Sequence, residues 1–241
     1  MSNAKIAAAL FCLSSPAWAD DGPNGWSGEA GLGYLASNGN TKASSLNAKV
    51  ALNYVQDQWK NAFLATAFGA SDQNASTGER YAAANKLDYN FTDHDYAFGS
   101  VEYEKDVFGA VGQRTVETAG YGRHVLTGPV HLLDVEVGAG ARQATANVTQ
   151  KRENDAVARF AGKYVWKISA TSAFSEALKV ETGSASTFTE SITELKFNIV
   201  GNIFASATYT VRNNTHVPPG TGRTDSFTAL NLSCTFGNRA P

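Results

Sequence analysis

Apolar and polar residues alternate with a period of two along most of this chain. Between Trp26 and Ser37 the even positions are Trp26, Gly28, Ala30, Leu32, Tyr34 and Ala36, and the odd ones include Ser27, Glu29 and Ser37. The next segment repeats the pattern, with Leu46, Ala48, Val50, Leu52 and Tyr54 on one parity and Ser45, Asn47, Lys49 and Asn53 on the other. A period of two is that of a β-strand, whose side chains point alternately to opposite faces. Turn residues divide the pattern into about twelve predicted strands, at 25–37, 42–55, 59–71, 80–91, 96–106, 113–125, 130–143, 156–168, 172–182, 188–199, 203–213 and 225–236. Each is long enough to cross a bilayer when tilted, which takes about 9 to 11 residues.

The connections alternate in character. Those at 56–58, 92–95, 126–129, 169–171 and 200–202 are tight, whereas 72–79, 107–112, 144–155, 183–187 and 214–224 are mostly longer and more polar. Only Asn38 to Thr41 is short on the long-loop side. Tight turns on one rim, longer loops on the other and an even strand count are features of outer-membrane barrels. The fold class expected is all-β: a closed, antiparallel, up-and-down transmembrane β-barrel, with the tight-turn side in the periplasm.

Aromatic residues cluster at strand ends, where ring side chains favour the boundary between hydrocarbon and headgroups. Next to the tight turns stand Trp26, Tyr54, Trp59, Tyr89, Phe91, Tyr96, Trp166, Phe174, Phe197, Phe204 and Phe236, and on the opposite rim Tyr34, Tyr81, Tyr103, Phe188 and Tyr209. The first set predicts a periplasmic girdle.

Charge separates the faces, because Arg or Lys facing lipid at mid-bilayer costs about 2 to 4 kcal/mol. The segment 80–91 sets Tyr81, Ala83, Leu87 and Tyr89 against Arg80, Lys86 and Asp88; 130–143 sets Leu133, Val135 and Val137 against Asp134, Glu136 and Arg142. Residues 156–168 set Phe160, Tyr164, Trp166 and Ile168 against Arg159, Lys163 and Lys167. Glu176 shares parity with Leu178, so it is expected at the rim or beside a bulge. The candidate lumen-lining residues are Glu29, Lys49, Arg80, Lys86, Asp88, Glu102, Glu104, Asp134, Glu136, Arg142, Arg159, Lys163 and Arg212. Lys60, Glu117, Arg123, Lys167, Glu194 and Lys196 are assigned to the same face.

The first residues change the picture of export. Lys5, the apolar run Ile6 to Leu13 and the small-x-small sequence Ala17-Trp18-Ala19 form a secretory leader over residues 1–19, with residues 20–241 as one barrel domain. The run is shorter than the roughly 20 residues of a spanning helix. Loss of Lys5 from 20 basic residues leaves 19 against 22 acidic ones, a net charge of −3 that gives no reason to expect nucleic acid. Of two cysteines, Cys12 lies in the leader, so no internal disulfide is expected after its removal, and Cys234 is expected to pack as a small apolar residue.

Ser37-Asn38-Gly39-Asn40-Thr41, Tyr103-Glu104-Lys105-Asp106-Val107-Phe108 and Gly120-Tyr121-Gly122 resemble the YdiY-like family, commonly labelled salt-stress-induced outer-membrane protein and otherwise a domain of unknown function. The resemblance covers essentially the whole chain after the leader. It implies an outer-membrane location and a single barrel, and it carries no catalytic residues. Leu230, Leu232, Cys234 and Phe236 look like the terminal strand signal that barrel assembly machinery reads, followed by a short tail, 237–241.

Expected partners are therefore outer-membrane lipid, the assembly machinery through Phe236, and a small solute or ion. Twelve strands fall between eight-stranded barrels filled by side chains and those of 16 to 18 strands with aqueous channels. Both a narrow passive channel and a lumen closed by ion pairs, serving a structural or stress-adaptation role, fit that size. A lipid-modifying enzyme and a surface-binding protein are the lesser alternatives. Such an enzyme would pair a His with a Ser or an acid; His94 falls in a tight turn and His216 in the last long loop without an evident acid partner. A two-residue turn at Thr127-Gly128 would set His124 beside His131, two imidazoles too few for a closed zinc site. No catalytic residue, cofactor or metal is expected. The charged run Gln150 to Asp155 reads as a solvated loop.

Overall fold

A computed structural model describes residues 24–37, 43–73, 75–109, 111–147, 149–217 and 222–237. Twelve strands run in order as β1 (Gly25–Ser37), β2 (Ala43–Gln56), β3 (Trp59–Asp72), β4 (Ala75–Asn90), β5 (Asp95–Asp106), β6 (Val111–Thr127), β7 (His131–Ala146), β8 (Arg152–Ser169), β9 (Ser172–Gly183), β10 (Thr187–Val200), β11 (Ile203–Asn214) and β12 (Thr224–Gly237). Every strand pairs antiparallel with its sequence neighbours, and β1 pairs with β12 to close the barrel. Closure leaves no unpaired strand edge, the condition for a sheet solvated by hydrocarbon.

At the closing seam Gly237 lies opposite Ser27 with φ +103, and a β-carbon there would stand 2.9 Å from the Ser27 Cα. A side chain at that position would be strained. At the turn between β2 and β3, Asp57 takes the left-handed conformation, and Gly201 does so between β10 and β11. These are positions that two-residue hairpins require.

The exterior carries large apolar side chains in contact with solvent, including Leu32, Leu46, Val50, Leu87, Val101, Val135, Val137, Phe160, Leu178 and Leu230. An apolar surface this extensive belongs against lipid. Trp26 packs on Tyr54 and Trp59 on Tyr89, at ring separations of 4.6 and 4.7 Å, in the girdle beside the tight turns. Two residues expected in that girdle turn inward instead. Tyr96 is buried over the interior glycines of β6, and Phe204 lies under Lys196 at 4.5 Å. On the opposite rim Phe188 is also interior, beneath the Arg114 guanidinium at 3.9 Å.

Strand β6 departs from its expected parity. Arg114, Val116 and Thr118 are buried inside, so Glu117 and Arg123 point outward rather than into the lumen. Charges stand on both parities of this strand, so alternation alone is ambiguous there. Arg123 sits near the turn rim and bonds Asp95 at 3.0 Å, while Glu117 is exposed beside Val101 and Ala141. Glu176 also faces outward, five residues into β9, away from both the rim and the register shift at Lys167/Ser169. Its carboxylate accepts hydrogen bonds from Ser191 at 2.6 Å and Thr193 at 2.5 Å, which offset the loss of water.

Several expected loops are strand. β4 begins at Ala75 rather than 80 and β8 at Arg152 rather than 156, so both run beyond the apolar belt. Asp155, assigned from sequence to a solvated loop, is buried; its carboxylate accepts from Arg142 at 3.1 Å, Ser184 Oγ at 2.7 Å and the Ala185 N–H at 3.0 Å. The leader, most of the Ser37 to Thr41 motif and the tail after Gly237 lie outside the described residues.

Candidate functional site in the barrel lumen

Inside the barrel, charged groups meet across the lumen rather than along the sheet. Glu102 of β5 receives Arg159 of β8 at 2.7 Å and Lys179 of β9 at 2.5 Å. Glu104 of β5 receives Arg212 of β11 at 2.7 Å, and Arg212 also reaches Glu190 of β10 at 2.6 Å. Arg114 of β6 bonds Glu181 of β9 at 3.1 Å. Glu136 of β7 binds Lys86 of β4, accepts from the Tyr96 hydroxyl at 2.9 Å and lies 3.6 Å from Arg159; Lys86 also meets Asp88 at 3.0 Å. Most of these strands are not neighbours, so the bonds span the interior and tie β4 through β11 into one network.

Aromatic rings support it. Tyr96 and Phe98 fold inward from β5 over Gly120, Gly122 and Gly138 of β6 and β7, where a β-carbon on Gly122 would overlap the Tyr96 ring and one on Gly120 would stand 2.9 Å from Phe98. Lys86 Nζ lies above both rings, at 5.0 and 5.2 Å. Cation and ring attract each other most where water is excluded.

Nearer the tight turns the lumen is wetter. Glu29 of β1 binds Lys49 of β2 at 3.4 Å and Lys196 of β10 at 2.5 Å. Lys163 of β8 faces inward opposite Asp134 and Ala177 and is solvent-exposed, so water reaches this depth. The expected pairing of His124 with His131 does not occur: a register shift between His124 and Leu126 sets His124 opposite Asp134, 2.6 Å away, inside the barrel. His131 instead bonds the Tyr164 hydroxyl at 2.8 Å near Trp166.

Two cavities lie among the described side chains. A central cavity of about 390 Å³ lies against β2 to β6 and β9 to β12, lined by Asn47, Leu64, Thr66, Glu102, Glu190 and Asn231 among others. A smaller one of about 100 Å³ lies toward the loop end, with Arg142, Asp155 and His216 in its wall. Arg80, Glu104, Arg114, Arg212 and Phe227 line both. These five side chains form a septum between the two cavities, with Phe68 edge-on to Phe227 at 6.0 Å.

All thirteen residues proposed from sequence have side chains on the inner face. Arg142 stands apart from the mid-lumen network, bound to Asp155 and Ser186 near the loop end. Sequence reasoning missed Arg114, Lys179, Glu181 and Glu190, of which Glu181 is completely buried. The alternation of Lys179 and Glu181 with Leu178 and Val180 carried the signal for two of them.

Residues 30–236 match the family described as "Protein of unknown function, DUF481". The chain belongs to this family. It is 32% identical over 208 residues to the "Uncharacterized protein YdiY" of Escherichia coli (strain K12), covering 85% of this chain and 81% of that protein. In fold it resembles an outer membrane channel from Pseudomonas putida F1, with a TM-score of 0.50, 12% identity, and coverage of 92% of this chain and 99% of the other. That likeness is one of architecture: a bacterial outer-membrane barrel.

Two motifs behind the family resemblance have visible structural roles. Gly120 and Gly122 clear space for Phe98 and Tyr96 while Tyr121 points outward. In Tyr103 to Phe108, Tyr103 is exterior, Glu104 binds Arg212, and Asp106 accepts the Phe108 and Gly109 N–H groups at 3.1 and 2.8 Å. Asn147 then ties this turn to β7 through the carbonyls of Asp106, Val107 and Gly109.

Proposed function

We propose that this protein is a narrow passive channel of the outer membrane for ions or small solutes, without enzymatic activity. One observation carries the reading: the central and outer cavities share Arg80, Glu104, Arg114, Arg212 and Phe227 as lining, so side chains rather than backbone divide the lumen. The tight-turn end faces the periplasm, the leader is removed near Ala19, and the strand ending at Phe236 addresses the chain to the assembly machinery. Residues 20–241 act as a single domain.

Planar-bilayer recording of the refolded barrel tests this. Discrete conductance steps are expected, and Arg212→Ala, which removes a septum side chain bound to Glu104 and Glu190, is expected to enlarge them. Silence from barrels that are folded by circular dichroism and resist denaturation on gels would overturn the channel reading in favour of a structural envelope role.

A further inference from the structure

Arg80 is the septum residue whose partners do not add up. Its guanidinium lies 4.5 Å above the Phe227 ring, yet its Nη1 is buried with no hydrogen-bond partner. The carboxylates acting on it are Glu104, Asp106 and Glu190. Each is engaged elsewhere: Glu104 by Arg212, Glu190 by Arg212 and Lys179, and Asp106 by the N–H groups of Phe108 and Gly109. Arg212 Nε, on the same septum, is likewise buried without a partner. An arginine carries five donors in a fixed fork and cannot shed its charge, so a buried N–H left unbonded bears the full cost of desolvation.

We infer that Arg80, with Arg212 beside it, forms a binding site for a small inorganic anion at the septum, on the side of the outer cavity. The outer cavity, about 100 Å³, has Arg80, Arg114, Arg142 and Arg212 in its wall with Glu104, Asp106 and Asp155 among them, and gives room for a halide or an oxyanion of phosphate size. The Phe227 ring covers one side of the guanidinium. The site's role in permeation rests on the channel reading; the binding itself does not. An occupied site would make the septum a selectivity step, passing anions from one arginine edge to the next.

Chloride serves as the probe. Excess 35Cl line-broadening, titrated with the full barrel refolded in detergent, reads binding without any need for conductance. The wild type is expected to broaden the signal saturably, with phosphate competing. Arg80→Gln is expected to weaken the binding about tenfold or more, the loss of a charge-assisted bond, and Arg80→Lys, which keeps the charge, to retain part of it. Circular dichroism establishes that both variants are folded. Broadening that is absent, or unchanged in Arg80→Gln, overturns the site. Broadening with a silent bilayer keeps the site and rejects the channel.

Discussion

The two sides of the lumen are built on different principles. From β4 to β11 the inner face is a lattice of Arg, Lys and Glu bonded strand to strand, with Glu181 and Arg159 buried within it. Across β12 and β1 to β3 the wall is mostly shorter, with Gly31, Gly33, Asn47, Leu64, Thr66, Ala229 and Asn231 beside the charged pair Glu29 and Lys49, and the central cavity reaches it. Long charged side chains must find partners and so fill their half; short ones leave room. The barrel's backbone thus sets a diameter, while the distribution of side-chain length around it sets where space remains.

The largest effect on this comparison should come from breaking the filled side. Glu181→Ala leaves Arg114 buried without its carboxylate, and removal of one member of a buried ion pair costs about 3 to 5 kcal/mol. Urea titration of the barrel in lipid vesicles should report that loss; a midpoint shift too small to resolve would mean that the network bears little of the stability.

Next in size is the exterior. Val135→Arg places a charge on the lipid face and should cost about 2 to 4 kcal/mol, measured in the same titration. Tolerance of this arginine would contradict the assignment of β7 faces. Smaller again is Gly122→Ala, whose β-carbon would overlap the Tyr96 ring; overpacking of this kind costs about 1 to 3 kcal/mol. A change in Tyr96 fluorescence or near-ultraviolet dichroism should accompany it, since the ring must leave its bond to Glu136.

The smallest effect should come from the open wall. Leu64 is apolar yet faces the cavity, so Leu64→Arg should change stability by no more than about 0.5 kcal/mol while altering conductance. If this substitution were as damaging as Val135→Arg, Leu64 would have to face lipid, and the cavity would be misplaced.

Much of the barrel was legible because one chemical rule repeats along it. Strands between apolar and charged parities, as in β1, β4, β7 and β8, could be assigned face by face, and so could the inward direction of Glu102 and Arg212. The rule failed where its signal was divided. In β6, charges at Arg114, Glu117 and Arg123 occupy both parities, and in β5 the ring of Tyr96 suited a girdle as well as an interior. Glu176 obeyed neither expectation, because Ser191 and Thr193 on the next strand supply its hydrogen bonds, a compensation invisible within β9 itself.

The sequence by itself determined an antiparallel barrel of twelve strands with a charged interior, since lipid on one side and polar groups on the other force a period of two on every strand. Only the tertiary structure decided which charges meet, that His124 joins Asp134 and not His131, and that Arg80 is left over. Those contacts depend on strand register and on residues up to 167 positions apart, as Glu29 and Lys196 are, and a local pattern holds no information about distances across a closed lumen.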